Sequence, residues 1–312
     1  MKHLRTYILP IAIILGFIFH NLCDILKVFL PYLIFLILFL NFVAVDIRKM
    51  RFRTIYLWLL FFQVGVSVTA YCFCSWLHLS EIISHGVLMG VICPVAASVV
   101  VVACLLGANR ETVTSYTIID NMVLSLLIPL IFSFVGHNNS IPFSQSFVVI
   151  ISRVGTVIGL PFILALFLHF LMPKLKQQLA KFSSCTFYIW AVAFFITIGQ
   201  TIGYLFAHGK GNEWNVFALA ILSLFFCVVQ FYLGKKLGRR YGDVVAGAQL
   251  MGQKNTAMGI WIANTFLNPL ASLFLAFYSI WQNLFNSWQI YRHDKMLRQF
   301  STWECRLFPP HD

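Results

Sequence analysis

The stretch GAQLMGQKNTAMGIWIANTFLNP, residues 247–269, contains a polar tetrad, Gln253 to Thr256, inside an otherwise apolar segment. The segment is apolar enough to lie in a bilayer, yet Lys254 stands near its middle. A charged side chain at the centre of a bilayer costs about 3 kcal/mol or more, so it usually faces a cavity, pairs with another group or marks a transport pathway. The stretch therefore predicts a membrane helix with a functional interruption.

The composition of the whole chain is that of a polytopic helical membrane protein. Of the 312 residues, 60% are hydrophobic and only 10% are charged, and the mean hydropathy is +0.85. Long apolar runs between short polar joints favour helices, because transmembrane strands alternate apolar and polar residues. The runs predict ten spans, near residues 6–22, 27–45, 54–76, 81–106, 112–135, 146–172, 185–207, 214–234, 244–267 and 269–291.

The basic residues fall on one side of these predicted spans. The N-terminus, every second joint and the C-terminal segment together hold 18 of the 22 Lys and Arg residues. This is the positive-inside distribution, so both termini are expected in the cytoplasm. The formal charge of +12 then reflects topology and does not predict a nucleic-acid partner. Arg153 lies near the end of a predicted span and is expected to snorkel to the interface.

The ten predicted spans divide into two halves of five, residues 1–143 and 144–291, followed by a cytoplasmic tail, residues 292–312. An odd number of spans reverses the insertion direction, so two similar halves would be inverted-topology repeats. The fourth span of each half carries an interruption, at Pro94 in the first and at Gly252 with the polar tetrad in the second. Interrupted helices at matching places are typical of the midplane site of a secondary transporter.

Motifs for other chemistries are missing from the sequence. It has no P-loop, no HExxH, no Asp-rich pair for magnesium diphosphate and no matched Ser/His arrangement. Its eight cysteines form no CxxC pair and no Cys/His cluster with metal-ligand spacing. We therefore expect a transporter without a cofactor and not an enzyme. A non-transporting membrane receptor or scaffold is the alternative from a different class.

Several motifs, in this order on ten spans, resemble the bile acid:sodium symporter family. They are Gln63 in FFQVGV, Cys93-Pro94 before a small-residue run to Ser98, the polar TVTSYTIIDN, GQKNT, and SIWQNLFNSW. The resemblance runs from about residue 6 to 291 and depends on their order, because no single motif is specific.

The resemblance implies a fold of two inverted repeats, with a panel domain (spans 1, 2, 6 and 7) and a core domain (spans 3–5 and 8–10). The interrupted spans 4 and 9 would cross near the midplane of the core. Organic anions would bind between core and panel, sodium ions would bind behind the crossing, and movement of the core against the panel would give alternating access.

Carried over by motif, the resemblance assigns a sodium-holding role to Gln63 and places Ser98 and Gln253 at the crossing. The hydroxyl ligands of span 5 would be Ser115 and Thr117, with Thr114 and Asn121 left open by the register. The candidate substrate- and ion-binding residues are Gln63, Pro94, Ser98, Thr114, Ser115, Thr117, Asn121, Gln249, Gln253, Lys254, Asn255, Thr256 and Asn283.

Three positions depart from the pattern of sodium-coupled relatives. Val99 replaces an asparagine, Gln249 (or Leu250, in a shifted alignment) replaces a glutamate, and Lys254 replaces an asparagine. Like charges about 4 Å apart repel by roughly 4 kcal/mol at an effective dielectric of about 20. A sodium site built from Gln63, Ser98, Ser115, Thr117 and Gln253 is therefore doubtful. We expect sodium-independent transport, with a symporter that retains one ion site as the alternative.

Three roles for Lys254 follow from its position. It could act as a tethered cation that binds the oxygens of Gln63, Gln253 and nearby carbonyls, or it could pair with an anionic substrate. It could also titrate, because burial disfavours the charged form of lysine, and so couple transport to protons. Asp120, the only acidic residue well inside a predicted span, is its candidate partner, with a position at the cytoplasmic interface as the alternative.

Together these features predict a secondary active transporter of a small organic anion in the inner (plasma) membrane of a bacterium. Its partners would be the anion and the lipid bilayer, and Na⁺ or H⁺ is the candidate coupling ion.

Overall fold

A computed structural model describes residues 11–44, 52–96, 98–135, 145, 148, 151–152 and 155–307. These residues are helical, and their only β-structure is one isolated bridge. The helices are α1 (11–18), α2 (His20–Leu26), α3 (Leu30–Ala44), α4 (Thr54–Trp76), α5 (Glu81–Ile92), α6 (Val99–Leu105), α7 (Arg110–Val135), α8 (Leu160–Leu171), α9 (Pro173–Ala180), α10 (Thr186–His208), α11 (Glu213–Arg240), α12 (Val244–Gly252), α13 (Thr256–Phe266) and α14 (Leu273–Leu307).

Five helical segments are long and apolar enough to cross a membrane. They are His20–Ala44, Thr54–Trp76, Arg110–Val135, Thr186–Ala207 and Glu213–Arg240. The chain is thus an all-α membrane protein, as its composition predicts. Ten spans, inverted repeats and cytoplasmic termini stay predictions. Both the predicted boundary at residues 143 and 144 and the snorkelling residue Arg153 lie outside the described residues.

Two boundaries differ from the sequence prediction. Residues 23–26, predicted as a joint, are helical, and a single 3-10 turn, Lys27–Phe29, leads directly into α3. Asp24 and Lys27 pair with each other along this segment at 2.7 Å, so these charges do not need to end the helix. The predicted tail is also helical as far as Leu307. Its first residue, Arg292, stacks on the ring of Trp288 one turn earlier.

The segments that lead into the two interruptions, α5 and α12, are among the most buried parts of the described structure. All residues from Ile83 to Val95 are buried, as are those from Ala246 to Lys254. By contrast, no more than 50% of the apolar window of any of the five long helices is buried inside the protein. Irregular backbone at membrane depth is tolerated only where protein or a water-filled cavity surrounds it. The long helices therefore surround α5 and α12 more fully than α6, in which Val100, Val102 and Cys104 are half-buried and Leu105 is exposed.

The helices pack in two groups around this centre. In one group α10 packs on α2 and α3, and α3 packs on α8. In the other group α4 packs on α5, and α11 packs on α12 and α14. The α11–α12 contact is especially close, because a Cβ on Gly247 would collide with the backbone oxygen of Gly234. Small residues at such an interface allow two membrane helices to approach through their backbones.

Candidate functional site

The first interruption separates α5 from α6 at Cys93 and Pro94. Cys93 has φ −46° and ψ 131°, so the chain becomes extended directly before the proline. A proline ring disfavours helical geometry in the residue that precedes it and donates no hydrogen bond itself. The sequence Cys93-Pro94 therefore ends α5, as the sequence predicts.

The second interruption separates α12 from α13 within GQKNT. A Cβ on Gly252, the last residue of α12, would collide with the ring of Phe231. Gln253 is extended, with φ −93° and ψ 119°. The Asn255 side chain then accepts a hydrogen bond of 3.4 Å from the Met258 N–H and caps the start of α13. Five consecutive residues thus stop one helix and start the next.

The two interruptions meet as a short antiparallel pairing of extended backbone. The Asn255 N–H donates to the Pro94 carbonyl at 2.7 Å, and the Ala96 N–H donates to the Gln253 carbonyl at 3.4 Å. These bonds flank Val95 and Lys254, which form the isolated bridge. In such a non-hydrogen-bonded pair the two residues lie close together, while their own N–H and C=O groups point outward. The bridge therefore creates four outward polar groups that need partners.

Side chains from two neighbouring helices supply all four partners. On one side, the Gln282 amide accepts from the Lys254 N–H at 2.8 Å and donates to its carbonyl at 3.2 Å. On the other side, Asp120 Oδ2 accepts from the Val95 N–H at 2.7 Å, and the Asn121 amide donates to the Val95 carbonyl at 3.2 Å. The pairing is thus clamped by α14 on one side and by α7 on the other.

The ends of the interrupted helices are also satisfied. The Gln63 amide on α4 donates to the carbonyls of Ile92 and Cys93, at 3.1 and 3.0 Å. The Tyr278 hydroxyl on α14 donates to the Gly252 carbonyl at 2.8 Å. These carbonyls have lost their helical donors, and an unpaired carbonyl would be costly in this buried environment. The crossing is therefore held by neutral amides and a hydroxyl, with one carboxylate.

Two opposite charges are buried at the crossing without direct contact. Lys254 is 1% exposed and Asp120 is fully buried. Lys254 Nζ and Asp120 Oδ1 each have no hydrogen-bond partner among the described residues, although each charge acts on the other electrostatically. Lys27 and Asp24 form an ion pair at 2.7 Å elsewhere among the described residues, whereas Lys254 and Asp120 do not come within 4.0 Å of each other. The Lys254 ammonium and the Asp120 carboxylate therefore balance each other's charge across a gap.

One part of the tethered-cation interpretation of Lys254 is wrong. Its ammonium does not bind the oxygens of Gln63 and Gln253, because Nζ makes no hydrogen bond to any described residue. The Gln63 amide is used by the carbonyls at the end of α5, and its oxygen accepts from the Tyr116 hydroxyl at 3.4 Å. The Gln63 side chain thus binds the carbonyls at the end of α5 and does not bind the Lys254 ammonium. The carboxylate of Asp120 is buried at the bridge, and the interface position considered for it stays a prediction.

Gln249 and Gln253 belong to a second polar cluster beside the bridge. The Gln253 amide donates to the Gln249 oxygen and, at 3.4 Å, to the Asn286 oxygen. The Gln249 amide donates to the Gln289 oxygen at 2.6 Å. This cluster joins the end of α12 to α14 entirely through side-chain amides.

The predicted hydroxyl residues make none of the bonds that hold the bridge. The Thr117 hydroxyl donates to the Val113 carbonyl of its own helix at 2.8 Å, and Ser115 interacts with Tyr56. Thr114 is half-buried, Ser98 is exposed, and Thr256 is buried in the first turn of α13. The structure thus brings six of the predicted residues and Asp120 together at the crossing, namely Gln63, Pro94, Asp120, Asn121, Gln253, Lys254 and Asn255.

Sequence reasoning missed Gln282, which binds the backbone of Lys254. It named Asn283 instead, whose amide donates to the Ser279 carbonyl of its own helix at 2.7 Å. A signal was present: Asp120-Asn121 and Gln282-Asn283 are matching polar dipeptides, each on the helix that follows an interrupted helix. Comparing these dipeptides would have indicated that Gln282 corresponds to Asp120.

Comparison of the chain with models of known protein families and with curated proteins gives no match to either.

Replacing Gln282 with methionine should destabilise the protein more than replacing its neighbour Asn283 with leucine. Gln282→Met leaves the buried N–H and C=O of Lys254 unpaired, and each such group costs about 1–3 kcal/mol. We expect a loss of about 2–4 kcal/mol in the free energy of unfolding, measured by denaturation in detergent. Asn283→Leu removes a bond within one helix and should cost less than about 1 kcal/mol. Equal losses for the two variants would contradict this assignment.

Asp120 and Lys254 should show strong energetic coupling in a double-mutant cycle. Asp120→Asn and Lys254→Met each leave one buried charge without its counter-charge, which costs about 3–5 kcal/mol. The double variant should cost at least about 2 kcal/mol less than the sum of the two single changes, by the same denaturation measurement.

The exposed pair Asp24 and Lys27 is the control for this cycle. Its atoms are 2.7 Å apart, but its side chains are 59% and 46% exposed, so the coupling energy should be about 0–1 kcal/mol. Simple additivity at positions 120 and 254 would show that the two buried charges do not interact.

Proposed function

We propose that the protein is a secondary active transporter of a small organic anion in the bacterial inner membrane, working by alternating access without sodium. The observation that carries this proposal is the complete burial of Lys254 at the point where two interrupted helices cross. A buried ammonium at an interrupted membrane helix usually marks a substrate or ion pathway.

The crossing itself supports transport over a purely structural role. Interrupting a membrane helix frees backbone groups that an uninterrupted helix would satisfy internally. Here Gln63, Tyr278, Gln282, Asp120 and Asn121 all serve to satisfy them. A continuous helix would need none of these side chains. Transporters use such paired interruptions to place a binding site near the membrane midplane.

The chemistry of the crossing suits an anion better than a sodium ion. Sodium requires several oxygen ligands and gains from nearby negative charge, by the same logic as other hard cations. The Lys254 ammonium opposes a second cation by roughly 4 kcal/mol at about 4 Å and an effective dielectric of about 20, wherever that cation lies nearer to Lys254 than to Asp120. The Lys254 ammonium has no hydrogen-bond partner among the described residues, so it can donate to a carboxylate or sulfonate.

The two packing groups suggest which parts move. The panel would consist of the first packing group, helices α2, α3, α8 and α10. The core would contain the second group, helices α4, α5, α11, α12 and α14. The resemblance to bile acid:sodium symporters assigns these helices to panel and core in the same way. The substrate would bind between the two groups, next to Lys254, and movement of one group against the other would expose it to either side.

Uptake into proteoliposomes should depend on Lys254 and not on sodium. The assay uses a set of radiolabelled small carboxylates and sulfonates. We expect wild-type protein to take up at least one of these anions equally in sodium and in potassium. Lys254→Asn and Lys254→Ala should lower that uptake by roughly 30-fold or more, because removing one partner of a buried charge pair costs about 2–5 kcal/mol.

Lys27→Ala, which removes a half-exposed lysine elsewhere in the chain, should leave uptake unchanged. Sodium-dependent uptake that survives both Lys254 substitutions would overturn the sodium-independent mechanism. If wild-type protein transports none of the tested carboxylates and sulfonates, the result would favour the alternative that the protein is a receptor or scaffold.

A further inference from the structure

The bridge needs a hydrogen-bond acceptor at position 120, but it does not need a charged one. The Val95 N–H needs one acceptor, and on the opposite side of the bridge the neutral amide of Gln282 does the same for the Lys254 N–H. A buried carboxylate is far costlier than an amide unless a charge balances it. The presence of a carboxylate at position 120 therefore indicates a role that needs an ionisable group.

The same reasoning applies to the ammonium of Lys254. Its backbone forms the bridge, but Nζ makes no bond to any described residue, and neither does Asp120 Oδ1 or the adjacent Asn121 Oδ1. Side-chain oxygens buried in native proteins nearly always have a partner. Lys254 belongs to the bridge, and Asp120 and Asn121 bind its partner Val95. Three unpaired polar atoms on these residues indicate a site for a polar ligand. The ligand must be small, because each of the three residues is at most 2% exposed.

We propose that Asp120 binds one proton for each anion carried, with Lys254 as the fixed cation, so that the protein is a proton–anion symporter. This inference rests on the proposed function and adds its coupling ion. In the empty state the carboxylate and the ammonium balance each other. When water reaches the crossing, the Asp120 carboxylate accepts H⁺ from a hydronium ion: one O–H bond of the hydronium breaks, the O–H bond of the carboxylic acid forms, and a water molecule is left. Lys254 keeps its proton, and the crossing then has one net positive charge.

The anion restores neutrality by pairing with Lys254. The crossing is then neutral only when it is empty or when it holds both the proton and the anion. In these two states the protein can change conformation with the crossing in surroundings of low dielectric. A state that holds the proton alone or the anion alone has a net charge, whose transfer away from water is costly. Binding of the proton and binding of the anion therefore favour each other, and this reciprocity is the basis of coupling.

The described side chains around Asp120 and Lys254 include no other carboxylate, so Asp120 is the group that we expect to change charge. Asp120 is faced by Lys254 and by the Tyr116 hydroxyl of its own helix, and Lys254 is faced by Asp120 and by the Cys93 thiol at the end of α5. Cys93 is faced in turn by Tyr278 of α14. The helices α4 and α14 otherwise contribute the neutral amides of Gln63 and Gln282. Among the described residues at the crossing, Asp120 is the one carboxylate.

The test uses full-length protein in proteoliposomes that contain a pH-sensitive dye, with the membrane potential clamped by potassium and valinomycin. The probes are sulfonates, since these stay ionised and do not cross a bilayer as neutral acids. We expect wild-type protein to move one proton inward with each sulfonate, and its sulfonate affinity to rise by up to about tenfold for each pH unit of acidification. Asp120→Asn should abolish the proton flux and this pH dependence, and Asp24→Asn should change neither.

A second readout does not depend on transport. Infrared difference spectra of wild-type protein minus Asp120→Asn in lipid should show a carboxylic-acid band that grows as the pH is lowered, because the other acidic side chains are common to both proteins and cancel. Sulfonate uptake without a proton flux, or a proton flux that survives in Asp120→Asn, would overturn the inference and leave the proposed function intact. If neither the sulfonates nor the carboxylates of the uptake assay are moved, the proposed function fails, and absence of the infrared difference band then excludes Asp120 as a proton site as well.

Discussion

An interrupted helix in a membrane must satisfy the backbone groups that the interruption frees, and this constraint determines the centre of the structure. The chain meets it by pairing two interruptions, so that Pro94 and Gln253 accept bonds from the opposite segment. The geometry of that pairing turns the polar groups of Val95 and Lys254 outward. The polar residues of α4, α7 and α14 that surround the crossing are where these outward groups and the broken helix ends require them. The crossing is therefore one hydrogen-bonded unit built from five helices and two extended segments.

Electrostatics follow from the same arrangement. Because amides satisfy nearly every backbone group at the crossing, the charges of Lys254 and Asp120 are left with unpaired atoms. Two buried charges that only balance each other can be separated by a guest that brings charge of its own. This is the physical basis of the proposed carrier: the anion pairs with the ammonium once a proton has neutralised the carboxylate. The long apolar helices around the crossing exclude water and lipid from it, which strengthens these interactions.

Local features of the fold could be predicted from the sequence, and distant partners could not. Pro94 and the tetrad after Gly252 identify both interruptions, because proline, glycine and a capping asparagine act on the backbone of their own segment. The choice of Gln282 over Asn283 depends on which face of α14 meets the bridge, and a polar dipeptide alone does not show this. Residues 23–26 were predicted as a joint between two apolar runs, but they are helical, because Asp24 pairs with Lys27 along the helix and does not need to end it. The role of Gln63 was predicted as an ion ligand, but the structure uses its amide for the end of α5.

The central claim is that Val95 and Lys254 face each other across an antiparallel bridge. Oxidative cross-linking of Val95→Cys with Lys254→Cys tests it directly, in an Asp120→Asn background so that no lone carboxylate is buried. Residues paired in this way have Cα atoms about 4.5 Å apart, within the range of about 4.4–6.8 Å that a disulfide spans. The account predicts a disulfide between positions 95 and 254, distinguished from the native Cys93 by peptide sequencing, and none between Val95→Cys and Met258→Cys one turn further along α13. Absence of the first cross-link, or equal formation of both, would contradict the account.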